Sequence, residues 1–203
     1  VGSTGLWVVG VVPAEAAEAL PDDRDPARAP ARWSGSGGRE AFFELSGRTS
    51  APLVATAAAR RFASLVDDAQ VATEARQDAQ DALMSVMPAR EGAGLLVASA
   101  RKASPVAALF YGLGPAESAK LPGRFGEFVL SADAVRAALP RAEEALRLTG
   151  TRRGAVLSRA TDWMTAMGDA PDFDTAGLVD GPLRVLRLAC GTGCGAAAFS
   201  RWY

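Results

Sequence analysis

The sequence contains no histidine, no isoleucine and no asparagine, and only Lys102 and Lys120 among its 22 basic residues are lysines. The missing histidine excludes Ser-His-Asp and Cys-His nucleophilic sites within this chain. It also excludes histidine-ligated metals, and with them most catalytic zinc centres. The commonest general acid–base side chain is gone. Isoleucine, asparagine and lysine have AT-rich codons, so their scarcity points to a high-GC bacterial gene. Cysteine is scarce too: Cys190 and Cys194 alone, in 203 residues, do not make a disulfide scaffold. Neither sign of charge is in excess, with 22 basic against 23 acidic residues and a net charge of −1. Such a balance leaves no electrostatic footprint for nucleic acid or an anionic membrane. No apolar run approaches the roughly 18 residues of a membrane span. The opening segment VGSTGLWVVGVVP has a short apolar run, Leu6 to Val12, with no basic residue before it, unlike a secretory signal. These absences predict a cytoplasmic protein that engages neither nucleic acid nor membrane.

What is present is an ordinary globular composition, 49% apolar and 22% charged, long enough to bury a real core. Residues 6–12, LWVVGVV, are bounded by Gly5 and Pro13 and read as a strand. Their continuous apolarity predicts burial on both faces. Pro13 to Leu20 reads as a short helix with Glu15 and Glu18 near its positive end. Residues 21–40 break the pattern with three prolines followed by three glycines, and read as a long loop anchored by Trp33. EAFFEL at 40–45 reads as a second strand, followed by helices over about 50–66 and 68–87. In the latter, Ala72, Ala75, Ala79, Ala82 and Val86 form a narrow seam, widened by Leu83 and Met87, for packing on the preceding helix.

Residues 94–100 and 105–111 read as an antiparallel hairpin, and 125–130 as a further strand. Ser131 caps a helix whose buried face is Val135, Ala138, Leu139, Ala142 and Leu146, with Pro140 expected to kink or split it. Another helix covers about 152–168 and ends at Gly168. LRVLRLA at 183–189 reads as a strand, and AAAFSRWY as a strand or short helix. Such runs of like elements predict an α+β fold: a mostly antiparallel sheet of four to six strands with helices packed on it, in a single domain.

Several constellations have the composition of sites. Gly191-Thr192-Gly193-Cys194-Gly195-Ala196 looks like a phosphate loop, but too little chain follows to complete a βαβ unit, so it reads as a tight turn. Cys190 and Cys194 are spaced to pair across that turn, although free cysteines of this kind more often act as compact apolar residues. Asp162, Asp169, Asp172, Asp174 and Asp180 form an acidic cluster. Asp169, Asp172 and Asp174 carry the hard oxygens that suit Mg²⁺ or Ca²⁺, against the commoner role of aspartate in turns and helix caps. Glu74, Asp78 and Asp81 share one helix face and read as a solvated stripe. Trp33, in the loop, and Trp202 are placed to anchor an interface.

Two functions follow. The favoured one is a non-catalytic interaction or regulatory module that binds a protein partner or itself, the class of immunity- and antitoxin-like proteins. It needs no cofactor. The alternative is a hydrolase or transferase in which Asp169, Asp172 and Asp174 hold Mg²⁺ or Ca²⁺, with Asp162 behind them.

Overall fold

A computed structural model describes residues 4–19, 74–123, 125–169 and 173–203. In chain order the elements are β1 (Gly5–Val12), α1 (Ala14–Ala19), α2 (Glu74–Val86), β2 (Leu95–Ala100), α3 (Pro105–Leu113) and α4 (Pro115–Ser118). There follow β3 (Phe128–Leu130), α5 (Ala132–Leu146), α6 (Gly150–Ala166), α7 (Thr175–Thr192) and β4 (Gly195–Trp202). The strands form one antiparallel sheet in the order β2-β1-β4-β3, an α+β architecture. The loop at 21–40 with Trp33, the expected strand at 40–45 and the helix at 50–66 lie outside the described residues. No helix among the described residues is long and apolar enough to cross a membrane.

Alternation along the strands sorts the core into two layers. Trp7, Val9, Leu96, Ala98, Phe128, Leu130, Ala196 and Ala198 face α3, α5, α6 and α7. Val8, Val12, Leu95, Ala197 and Phe199 face the other way, against Ala17 of α1 and Leu83 and Met87 of α2. The sheet is therefore apolar on both sides, which explains why β1 reads as a continuous hydrophobic run. Leu83 and Met87 make the buried face of α2 together with Gln80, while Ala82 and Val86 are exposed. Of the expected seam, Ala82 and Val86 are therefore not in the contact, which runs through the larger Leu83 and Met87, while Ala72 and the partner helix at 50–66 lie outside the described residues.

Two expected strands are helices. Residues 105–111 belong to α3, which is buried along its whole length. Ser104 accepts a hydrogen bond from the Ala107 amide at 3.3 Å, and Pro105 occupies the first turn, where its missing N–H costs nothing. An apolar run with no polar face has no period to separate helix from strand, and the cap decides it. Residues 183–189 continue α7, and Gly181 and Pro182 lie inside that helix. Both residues are buried, and a Cβ on Gly181 would lie 2.7 Å from a methyl of Leu96. The glycine lets α7 settle closely onto β2, and this burial outweighs the lost hydrogen bond at Pro182.

The Gly-rich segment is the helix-to-strand exit rather than a turn between strands. Gly193 adopts φ 69°, donating to Cys190 O at 3.4 Å, while the Cys194 amide bonds Ala189 O at 2.9 Å. This is the paired closure of a helix C-terminus by a left-handed glycine. Cys190 and Cys194 remain free thiols. Pro140 is accommodated within α5 without splitting it.

Side chains replace ladder partners where β3 ends. The chain leaves the sheet before Phe128, through Phe125 at φ 48° and Gly126 at φ 77°. Beyond that point the Ser200 amide donates to Glu127 Oε1 at 3.4 Å, and Gln80 Nε2 donates to the Ser200 carbonyl at 3.1 Å. Trp7 Nε1 fixes the departing chain by donating to Gly126 O at 3.0 Å.

On the helical layer, α5 and α7 are clasped by charge. Glu143 accepts from Arg187 Nε at 2.8 Å and from Arg147 at 3.0 Å. The Arg187 bond, with Arg147 beside it, holds the Glu143 carboxyl below its ordinary value of 4.5. A carboxylate with a lowered folded-state pKa stabilises the fold above its unfolded value and loses that contribution as pH falls through the folded one. Glu143→Gln should therefore unfold at lower urea than the parent at neutral pH. The gap should close on acidification below about pH 4.5.

Gly112 sits where α3 crosses α6, and a Cβ there would lie 2.8 Å from the Val156 carbonyl oxygen. Because that neighbour is backbone, Gly112→Ala should destabilise by about 1–3 kcal/mol in equilibrium unfolding.

Candidate functional site

Only β1 flanks β2, so β2 is an edge of the described sheet. In an antiparallel pair, successive residues direct their N–H and C=O alternately toward the partner and away from it. The Val11 amide bonds Gly94 O, which places the even-numbered residues of β2 toward β1 and the odd-numbered ones outward. Leu95 uses its outward pair on Gly92, at 3.1 and 3.4 Å. The Val97 amide donates to Glu91 Oε1 at 2.9 Å, and the Arg101 amide to Asp169 Oδ1 at 3.2 Å. Between these two carboxylates, the Val97 carbonyl and both main-chain groups of the exposed Ser99 have no partner among the described residues.

A groove of about 690 Å³ runs beside this open stretch. β2 supplies one wall, from Leu96 to Arg101, and the start of α7 supplies the other, with Asp174, Gly177, Leu178 and Arg184. Asp169 and Phe173 close it from the α6–α7 connection. Leu96 and Leu178 give it an apolar floor, and the open main-chain groups give it directional polarity.

Asp169 positions the near end. Its Oδ2 accepts from Lys102 N at 3.0 Å and Ala103 N at 3.2 Å, in addition to the Arg101 bond. Three successive amides thus converge on one carboxylate, a nest of the kind that binds anions. The tie holds the β2–α3 turn against the end of α6, where Gly168 at φ 79° releases the chain. Asp174 is the α7 N-cap, accepting from Gly177 N at 2.8 Å.

The sequence-derived site residues therefore separate. Asp169 and Asp174 line one groove, each bound to backbone amides. Asp172 lies outside the described residues. Asp180 is joined to Arg153 by two bonds of 2.6 and 2.8 Å, a pairing that raises the Arg153 pKa. Asp162 is exposed, and burial pushes the Tyr111 hydroxyl pKa up, opposed by the charge of Arg159 and aided by that of Asp162. Among the described residues, no three His, Cys, Asp or Glu side chains converge in a way that would hold a metal ion. Asp81 is engaged by Arg201, consistent with a surface stripe. Trp202 pairs with Gly5 in the β1–β4 register, and its ring lies over the position a Gly5 side chain would take.

Ser99, Glu91 and Arg184 were not singled out by the sequence. Only the strand register reveals which main-chain groups face outward, and a lone arginine on an unrecognised helix carries no signal. No family model matches the chain, and no curated protein or solved structure matches it.

Asp169→Ala leaves three amides without their acceptor and should lower unfolding free energy by about 1–3 kcal/mol. Asp169→Asn, which keeps one acceptor oxygen, should fall between that variant and the parent in the same urea titration.

Proposed function

We propose that this chain is a non-catalytic interaction module that takes an extended segment of a protein partner as an added strand on β2. The observation that carries the reading is the open stretch from the Val97 carbonyl to Ser99, set between two capped positions beside the groove. Strand addition draws affinity from main-chain bonds and selectivity from side-chain pockets, and both elements are present here. Sheet edges are ordinarily guarded against unwanted pairing. Glu91 and Asp169 guard all but this gap, so pairing is limited to a short segment. A module of this kind regulates by occupying its partner, as immunity- and antitoxin-like proteins do. Free thiols at Cys190 and Cys194 suit a cytoplasmic location.

The alternative, hydrolysis or transfer at a carboxylate-held cation, has weaker support. Asp169 and Asp174 already direct oxygens at backbone donors, and the remaining ligand of the set is Asp172.

The test uses random-sequence peptides displayed on phage, selected on the purified parent protein. Proline on an edge strand is tolerated where its nitrogen faces solvent, so Ser99→Pro should keep its melting temperature within a few degrees. It should weaken selected peptides by about tenfold or more, the equivalent of one or two main-chain bonds. Ser99→Ala, which keeps the N–H, should bind as the parent does. Equal binding by the parent and by Ser99→Pro would remove the strand-addition reading. Concentration-dependent sedimentation abolished by Ser99→Pro would identify a second copy of the chain as the occupant instead.

A further inference from the structure

We infer that the segment received on β2 is acidic, an inference that rests on the strand-addition reading above. The acids around the groove are committed. Glu91 caps Val97, Asp169 caps the β2–α3 turn, and Asp174 caps α7. Beyond the groove, Asp180 is held by Arg153 through both oxygens. The cations are not committed. The guanidinium groups of Arg101 and Arg184 are exposed and form no ion pair among the described residues. Both line the groove, Arg101 at the end of β2 and Arg184 on α7 opposite. An incoming carboxylate therefore meets two guanidiniums that form no ion pair among the described residues, whereas an incoming cation meets carboxylates that keep their charge but already accept from backbone amides.

Arg184 also borders a second hollow, of about 400 Å³, whose walls carry Arg147 and Arg187 over Leu148 and Leu183. Arg147 and Arg187 share the single carboxylate of Glu143, so positive charge is in excess there too. The groove and this hollow share Arg184, so a segment that reaches past Arg184 would border both. The partner segment is thus an extended stretch carrying carboxylates on the side that faces α7, long enough to pass from Ser99 beyond Arg184. Planar guanidiniums recognise carboxylates through paired bonds, which suits arginine at these positions.

The experiment compares three synthetic decapeptide pools of alternating pattern, Glu/Asp-rich, Lys/Arg-rich and Ser/Thr-rich, on the folded full chain. Titrations use the parent, Ser99→Pro, and the double variant Arg101→Glu with Arg184→Glu, with thermal melts confirming that each variant is folded. The acidic pool should bind best. It should weaken by about five- to tenfold in the double variant and by several-fold on raising salt from about 50 to about 300 mM. It should also be lost in Ser99→Pro and on N-methylation of alternate peptide amides, a control that leaves the protein untouched. Neutral or basic peptides that bind best, lose binding in Ser99→Pro and ignore the double variant would overturn the acidic assignment while leaving strand addition standing. Acidic peptides indifferent to Ser99→Pro and to N-methylation would overturn strand addition itself. Oligothymidylate has the charge but no amides to pair. If it binds as tightly as the acidic pool and regardless of Ser99→Pro, the arginines are a general anion patch and the proposal fails.

Discussion

A sheet that is apolar on both faces must be covered twice. Trp7 and Val9 point into one layer of helices, and Val8 and Val12 into another, so neither side of β1 tolerates water. This requirement fixes where these described helices go: α1 and α2 on one face, α3 and α5 to α7 on the other. It also explains the close approaches, since Gly181 and Gly112 let backbone move in where a side chain would hold the layers apart. With both faces sealed, the sheet can meet another molecule only at its margins.

At those margins the protein uses carboxylates and an amide side chain in place of strands. Glu127 and Gln80 complete β4 where β3 has ended, and Glu91 and Asp169 complete β2 on either side of Ser99. Each of these side chains satisfies main-chain groups at the margin without extending the sheet, Asp169 three of them. An acceptor carboxylate does this well, because its charge strengthens the bond to an amide. The acidic residues near 169–174 make sense in this light. The oxygens of Asp169 and Asp174 accept from backbone amides.

The central strand, α1, α5 and α6 could be read from the sequence because local signals agreed there: the valine run between Gly5 and Pro13, the serine at 131, the glycine at 168. The fold class was legible from the order of such elements. Reading failed at α3 and at the second half of α7, where short apolar-rich runs do not by themselves separate helix from strand. Ser104, expected in a hairpin turn, is the cap of α3. The site was legible only at Asp169 and Asp174, whose expected role as turn and cap residues is the one their backbone bonds display. Which way Ser99 directs its amide is a property of register, set by bonds between distant segments, and no local pattern encodes it.

The innermost strand pair of the sheet joins residues more than 180 positions apart in the chain, with Gly5 opposite Trp202 and Val12 opposite Gly195. Pairing at such separation comes late, since loop closure must be met before the contacts it permits. During synthesis β1 therefore emerges long before the strand that will flank it. Until β4 arrives, a Val-rich strand has a bare margin, and it is vulnerable to pairing with the wrong chain. The architecture thus makes folding order a matter of waiting. Helices such as α5 and α6 form from local contacts while the middle of the sheet stays incomplete, and β4 closes it.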